Sequence, residues 1–326
     1  DRTVMIKSSY EAFRRRNLCG FITACADTGW GVLDASVETS TLVLNKLSSD
    51  VEGVFMDVQD VNPEEKDENL SVLIRTYNRG EDAKWIYVAK SVEFDNLPNT
   101  VIGYGFGKEI LQLFKKPNFT ERMLEAKQGF VFPIPKHVRN FFELKRTEFF
   151  CHLYNGGSYS LFYSTYHDVV SWERNGEVAK TNSGFRCSNP SLQRLAGVGY
   201  GKRGEILDSH ILKENNIFTL EGSAFPGLTV SKSLSVLSYT NSILSQYSIN
   251  LYTGQHKISG NVNLLPIPDY ATRQSDIERI VNAIIEIKRK WFSLDETNLE
   301  YHGLIAQMHI DTTIDAALNK MQEQLT

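Results

Sequence analysis

The segment 155–180, NGGSYSLFYSTYHDVVSWERNGEVAK, combines flat aromatic side chains with glycines and cations. Gly156 and Gly157 predict a tight turn, because glycine adopts backbone conformations that other residues avoid. Aromatic faces stack on bases and cations contact phosphates, so the segment predicts a nucleic-acid surface. The alternative is a β-rich core with ordinary surface lysines. The aromatic residues are Tyr159, Phe162, Tyr163, Tyr166 and Trp172, and the cations are Arg174 and Lys180, with Arg186 just beyond the segment.

The distribution of charge points to the same part of the chain. The 326 residues carry a net charge of −4, but residues 126–240 carry 13 basic and 9 acidic side chains, a net charge of +4. Residues 1–125 carry 15 basic and 20 acidic side chains, and residues 241–326 carry 7 and 10. A small local excess of cations indicates a patch for a polyanion on an otherwise acidic chain.

A glycine-rich segment, GVGYGKRGE at 197–205, has the outline of a phosphate-binding loop. A nucleotide-binding P-loop needs Ser or Thr after its Gly-Lys pair to hold magnesium, and Arg203 stands there instead. The loop therefore favours contacts from Lys202 and Arg203 to a DNA backbone. An ordinary glycine-rich β-turn remains the alternative.

The segment 155–163, which contains the glycine turn, is also the predicted base-reading element. It stands just ahead of a predicted strand at 167–172, which would support the turn while Asn155, Ser158, Tyr159 or Ser160 enters a groove. If Tyr159 and Tyr163 only pack the β core, their loss would lower stability instead. The predicted DNA-binding residues are Asn155, Gly156, Gly157, Ser158, Tyr159, Ser160, Arg174, Lys202 and Arg203.

Strands and helices alternate in the first third of the chain, which predicts one half of an α/β sheet. Between residues 129 and 225, short apolar runs separated by Gly, Pro and Asn predict mainly β structure. Apolar residues at helical spacing then predict helices at 233–251, 276–290 and 305–325, with Ser275 or Asp276 as the cap of the second. The predicted strands of the first third are 21–26, 41–44, 54–58 and 85–88, and its predicted helices are 10–18, 69–79 and 108–114.

Composition excludes several other classes of protein. A hydrophobic content of 41% and a charged content of 23% are ordinary for a globular protein. No apolar run approaches the roughly 18 residues of a membrane span, and the opening DRTVMIKSSY does not resemble a signal peptide. The four cysteines form no Cys-x-x-Cys pair, which predicts reduced, mostly buried thiols and a cytoplasmic location. The seven histidines show no metal-ligand spacing.

Several blocks of the chain, in order and at matching spacing, resemble the PglX-like adenine-specific DNA methyltransferases of BREX-type phage defence. The resemblance covers nearly the whole chain. The blocks are VMIKSS (4–9), DTGWGVLDASVETSTLVLNK (27–46), LPNTVIGYGFGKEILQLF (97–114), KQGFVFPIPKHVRNFFEL (127–144), the segment 155–180, GVGYGKRGEILDSHILKENNIFTLEGSAF (197–225), LLPIPDY (264–270) and IKRKWFSLDETNLEYHG (287–303).

The resemblance implies a fold that is α/β followed by mainly β structure. Residues 1–120 would be the C-terminal part of a Rossmann-like methyltransferase sheet, residues 121–270 a β-rich target-recognition domain, and residues 271–326 a closing helical segment. The family enzyme transfers a methyl group from S-adenosylmethionine to the exocyclic amine of adenine and so marks self DNA. The implied partners are double-stranded DNA, other phage-defence components and an N-terminal methyltransferase half.

The chain departs from the family at its catalytic motifs. VLDASVETSTLVL at 32–44 has the outline of a cofactor-binding motif but lacks its glycines, and no Asn-Pro-Pro-Tyr loop occurs. In the family that loop lies upstream of the block matching 4–9, so we expect a fragment without catalytic or cofactor-binding residues. A non-catalytic specificity subunit or a degenerate homologue is the alternative, and enzymatic activity stays open.

Overall fold

The computed structural model describes residues 1–48, 50–131, 138–145, 149–156, 160–181, 183–186, 188–253 and 256–301, together with Ala316, Gln322 and Glu323. The chain divides into two compact units. Unit 1 comprises Asp1–Lys116 and Leu251–Thr253, and unit 2 comprises Pro117–Asn250 and Gly254–Thr326. The main division therefore falls at 116/117, beside the boundary predicted near residue 120. The further predicted boundary near residue 270 lies inside unit 2.

Unit 1 is built on a four-stranded sheet of order β2-β1-β3-β4. β1 and β3 are parallel, whereas β2 and β4 pair antiparallel to them at the two edges. These elements confirm the strands and helices predicted for the first third of the chain, but the assignment to a methyltransferase sheet stays a prediction. The strands are β1 (Ile22–Gly29), β2 (Thr39–Leu44), β3 (Glu52–Asp57) and β4 (Ile86–Lys90), and the helices are α1 (Thr3–Ile6), α2 (Glu11–Asn17), α3 (Lys66–Asn78) and α4 (Lys108–Leu113).

A buried polar network closes the carboxyl ends of the two parallel strands. The Asp27 side chain is fully buried, and Arg2 Nε lies 2.8 Å from its Oδ1 atom. The Tyr104 hydroxyl oxygen lies 2.8 Å from the Asp27 carboxylate and 3.0 Å from that of Asp57, and its one hydrogen can donate to either of them. Burial raises the pKa of Asp27, and Arg2 opposes that rise. The network ties together strand ends that a pair of unpartnered carboxylates would drive apart.

Unit 2 contains two small sheets, of order β10-β6-β7-β5 and β11-β8-β9. Only β6 and β10 are parallel among the described pairings of these sheets. The predicted strand at 167–172 is β7, and the mainly β character expected for 129–225 stays a prediction. The strands are β5 (Val138–Asn140), β6 (Phe150–Tyr154), β7 (Asp168–Ser171), β8 (Gly197–Gly201), β9 (His210–Leu212), β10 (Ile217–Phe218) and β11 (Gly222–Pro226).

The helices of unit 2 correct two predictions. The single helix predicted for 233–251 is wrong, because the chain breaks at Asn241, whose side chain accepts from and donates to the Ser209 backbone at 3.1 and 2.9 Å. The Ser242 hydroxyl then accepts the Ser245 N–H at 3.2 Å and starts a new helix. The helices are α5 (Glu177–Lys180), α6 (Val230–Thr240), α7 (Ile243–Tyr252), α8 (Ser259–Val262) and α9 (Gln274–Phe292), and the last two residues of α7 are counted in unit 1.

Helix α9 confirms the predicted helix 276–290 but starts earlier than its predicted cap. Its cap residue is Arg273, without a side-chain hydrogen bond to the helix end, so Ser275 and Asp276 lie inside the first turn. The capping prediction is therefore wrong, although Asp276 still places a carboxylate near the positive end of the helix dipole. The helix predicted at 305–325 lies outside the described residues apart from Ala316, Gln322 and Glu323.

The described cysteines are buried, free thiols. Burial raises the pKa of Cys19 to about 11 and that of Cys25 to about 12, so both stay protonated at neutral pH. Together with buried Cys151 they confirm the predicted state of these three residues, and Cys187 lies outside the described residues. Across the described ranges, no helix combines the length and apolar character needed to cross a membrane.

Candidate nucleic-acid interface

The loop after strand β8 places Lys202 and Arg203 on a rigid frame. The Gly201 N–H donates to the Asp208 carboxylate at 2.7 Å, and the two strands flanking the loop are thereby pinned together. The Lys202 backbone donates to the Glu221 carbonyl at 3.0 Å and accepts from the Lys257 N–H at 2.7 Å. The backbone of the predicted phosphate-contact loop is therefore held on both sides before any ligand arrives.

A carboxylate lies between the two predicted phosphate contacts. Lys202 Nζ lies 3.1 Å from Glu221 Oε1, and Arg203 Nε lies 2.7 Å from Glu221 Oε2. Burial opposes ionisation of Glu221, but the hydrogen bonds from Arg203 and Lys202 outweigh it, so its pKa is lowered and it is charged at neutral pH. The side chain of Lys202 is 14% exposed and that of Arg203 is 67% exposed, so Arg203 is the more accessible cation.

The glycine turn that follows strand β6 lies against the backbone of the same glutamate. Asn155 Oδ1 accepts from the Thr219 hydroxyl at 2.9 Å. Gly156 has a φ of +73°, and a Cβ atom there would lie 2.2 Å from the Glu221 carbonyl oxygen. Only glycine fits this close approach. The structure therefore brings the two predicted contact segments, 155–156 and 202–203, onto one backbone segment at 219–222.

The rest of the predicted base-reading turn is only partly described. Gly157, Ser158 and Tyr159 lie outside the described residues. Ser160 is half-buried, and its hydroxyl accepts from Lys288 Nζ of helix α9 at 2.8 Å. Burial lowers the pKa of Lys288. Ser160 is therefore engaged by a side chain of its own unit.

Arg174 belongs to a different part of the unit 2 surface. It lies in a short 3-10 turn after β7 with a φ of +51°, and its side chain is 78% exposed. Its guanidinium lies 3.9 Å from the Glu177 carboxylate, a loose exposed pair. Arg174 is accessible to a ligand, as the prediction requires. None of its described contacts joins it to the cluster around Glu221, which is formed by Asn155, Gly156, Lys202, Arg203 and Glu221.

Two of the predicted stacking residues are core residues. Tyr163 is 1% exposed and Tyr166 is 6% exposed, so neither ring has a face for a base. Lys213 Nζ donates to the Tyr163 hydroxyl at 2.9 Å, and Glu300 accepts from that hydroxyl. The stacking prediction is wrong for these two residues, and the alternative that Tyr163 packs the β core is confirmed. Tyr159 lies outside the described residues.

Three residues of this region escaped the sequence analysis. Glu221 gave no signal beyond being one of few acidic residues in a basic segment. Lys257 is 1% exposed and donates to the Gly204 carbonyl, which supports the loop from inside, and burial lowers its pKa. Lys288, near the end of helix α9, is not among the predicted DNA-binding residues. A partner distant in sequence leaves no local pattern.

The described side chains of this site are groups that make charged and hydrogen-bonded contacts. Among the described residues, no group of three or more His, Cys, Asp or Glu side chains has the geometry for a metal ion. His210 lies in strand β9 and is fully buried. Burial lowers its pKa to about 4, so it is neutral near pH 7. What the cluster offers a ligand is an exposed guanidinium, a second cation and a fixed amide.

Comparison with known proteins yields structural neighbours only. No family model and no curated protein matches the chain. The type IIL restriction-modification enzyme MmeI, solved in complex with DNA, matches with a TM-score of 0.45 and 9% identity over 94% of this chain and 42% of that one. The type IIG restriction endonuclease BpuSI matches with a TM-score of 0.33 and 9% identity over 86% and 41%. The chain thus spans about two fifths of each neighbour's length, and likeness at this level assigns it neither fold nor activity.

Proposed function

We propose that unit 2 binds double-stranded DNA as the target-recognition region of an adenine-specific, S-adenosylmethionine-dependent DNA methyltransferase in a phage-defence or restriction-modification system. The observation that carries the DNA-binding part is the convergence of 155–156 and 202–203 on Glu221. The methyltransferase part rests on the resemblance of the sequence blocks. The catalytic half and other system components would then be its protein partners.

Different residues of the cluster would make the two kinds of contact that a DNA-reading surface needs, to phosphates and to bases. Arg203 has a planar, largely exposed guanidinium that suits a phosphate, and such a contact sets the register of the protein on the duplex. Asn155 has its amide oriented by Thr219, so its nitrogen can donate to a base edge in a fixed direction. Phosphate contacts fix position, and the amide contact distinguishes bases.

The second candidate function is a DNA-binding specificity subunit without catalysis. It rests on the same convergence of 155–156 and 202–203 on Glu221, because DNA contacts from this surface require no methyl transfer. Both candidates place DNA on the same surface of unit 2. They differ in whether methyl transfer occurs when the methyltransferase half is supplied.

The test is the salt dependence of duplex binding by the intact chain. Arg203→Ala should weaken binding to unrelated duplexes alike and reduce the slope of log K against log salt concentration by about 0.9, the value of one lost phosphate contact. The matched control is Arg279→Ala, which removes an exposed arginine from helix α9.

The two variants separate a local contact from a general effect of charge. We expect Arg279→Ala to keep the wild-type slope. Equal losses in both variants would show that only net charge matters, and an unchanged slope in Arg203→Ala would remove the phosphate contact from this loop.

A further inference from the structure

A second surface feature of unit 2 lies away from the Glu221 carboxylate. It is a cleft of about 370 Å³ between the segments that follow β7 and precede β8. Phe130 and Trp172 line its apolar part, and Lys180, Arg194, Asn175 and Asn215 line its polar part. This volume falls in the range of small-ligand sites, roughly 300–1,000 Å³.

The aromatic wall of this cleft is held rigidly. The Trp172 ring stacks on Phe130 with ring centroids 5.3 Å apart and planes 25° apart. Gly176, with a φ of +75°, packs so closely on the ring that a Cβ atom would lie 2.7 Å from it. A wall fixed on two sides loses little conformational entropy when a ligand binds.

The two cations of the cleft differ from the others of the region. Lys202, Arg203 and Lys213 each pair with a carboxylate of unit 2. Within the described ranges, Lys180 has the Trp172 ring at 5.9 Å, Arg194 donates to the Asn215 amide oxygen at 2.8 Å, and neither forms a salt bridge. Two cations without counter-ions beside an aromatic wall suit an anionic ligand with a flat apolar part.

Several non-glycine residues that line the cleft have positive φ angles. Asn175, Arg194 and Asn215, which line it, have φ values of +59°, +67° and +64°, and Arg174 and Asn189 beside it have φ of +51°. Non-glycine residues avoid this region, and clustered exceptions are associated with ligand sites. For Arg194 the conformation has no compensation from a short polar side chain.

We infer that this cleft binds one unpaired nucleotide of the DNA, with the base against the exposed part of Trp172, which the buried Phe130 supports, and its phosphate near Lys180 and Arg194. The inference rests on the proposed function, because its ligand belongs to the DNA that unit 2 binds. The chain between Asn215 in the cleft and Glu221 in the cluster spans six residues, about 20 Å at most. Both surfaces therefore lie within the reach of one duplex site.

The experiment compares two duplexes of one sequence, one fully paired and one with a single unpaired 2-aminopurine nucleotide. Pulling a base out of a duplex is costly, so the unpaired nucleotide should raise affinity of the intact chain about tenfold, and its fluorescence should change on binding. Lys180→Gln and Arg194→Gln should bring the ratio of the two affinities close to one. Lys290→Gln, an exposed lysine of α9, should retain the wild-type ratio.

The outcomes separate this inference from the proposed function. A wild-type chain that binds both duplexes equally overturns the nucleotide site and leaves DNA binding intact. A chain that binds neither duplex overturns both. Saturable binding of a free deoxynucleoside monophosphate, abolished by Arg194→Gln and without binding of either duplex, would assign the cleft to free nucleotides and also overturn the inference.

Discussion

Replacing Glu221 by glutamine is the most informative change in the cluster. The substitution keeps the size of the side chain and removes the charge between Lys202 and Arg203. Counting charges, the trio carries a net +1 in the wild type and +2 in the variant. We therefore expect Glu221→Gln to bind duplex DNA more tightly and to show a steeper salt dependence.

The magnitude follows from electrostatics. A phosphate seated on the same two cations would lie roughly 6 Å from the Glu221 carboxylate, where Coulomb repulsion is about 0.7 kcal/mol in water and about 3 kcal/mol at an effective dielectric constant of 20. The Glu221 side chain is 34% exposed, so screening favours the lower part of this range. We expect a gain of about 1 kcal/mol, or about fivefold in affinity, and a slope steeper by about 0.9.

The assay is duplex binding by fluorescence anisotropy between about 50 and 200 mM salt, the range over which phosphate contacts change affinity strongly. Glu214→Gln, which removes an exposed carboxylate from the same basic segment, is the matched control and should change affinity far less. Thermal unfolding checks the fold, because an ion pair this exposed contributes less than about 1 kcal/mol. Weaker binding by a folded Glu221→Gln would refute the reasoning and make Glu221 a residue that orients the cations for DNA.

Three further outcomes test the structure and the reading of the chain. Gly156→Ala should lower the free energy of unfolding by at least about 1 kcal/mol, because Gly156 has a φ of +73° and lies against the Glu221 backbone. Gly260→Ala is the control, since a Cβ atom there would enter open space. Urea unfolding measures both variants, and equal effects would contradict the close contact at Gly156. Because burial lowers the pKa of His210 to about 4, the unfolded chain binds a proton first as pH falls below about 6.5. Through His210, the free energy of unfolding should then fall by about 2 kcal/mol between pH 7 and pH 5. A variant of the exposed His256 is the control and should show the same fall. A His210 imidazole that NMR shows to be protonated at pH 5 would contradict this prediction. The purified chain should transfer no tritium from S-adenosylmethionine to DNA, and transfer by the chain alone would show that it holds a cofactor site.

The sequence predicted individual elements better than their partners. Local patterns were enough for β1, β3 and α9, because apolar spacing along one element decides which face is buried. The break at Asn241 was missed because the side chain bonds to Ser209, far away in sequence. A local pattern contains no information on such a partner.

The candidate site shows the same limit. Glycine content and charge indicated 155–156 and 202–203 separately, but their meeting point at Glu221 depends on the pairing of β8 with β11 and of β6 with β10. The number of aromatic residues in 155–180 overestimates the surface for stacking on bases, because Tyr163 and Tyr166 are buried in the core. Composition does not distinguish an aromatic ring that packs the interior from one that faces a ligand.

Photochemical cross-linking of the intact chain to duplex DNA, with the modified peptides identified by mass spectrometry, tests the central claim most directly. We expect cross-links in peptides that carry Asn155 and Gly156 and in those that carry Lys202 and Arg203, with the latter reduced in Arg203→Ala. Cross-links confined to unit 1, or none under conditions where the DNA is bound, would contradict the assignment of DNA recognition to unit 2.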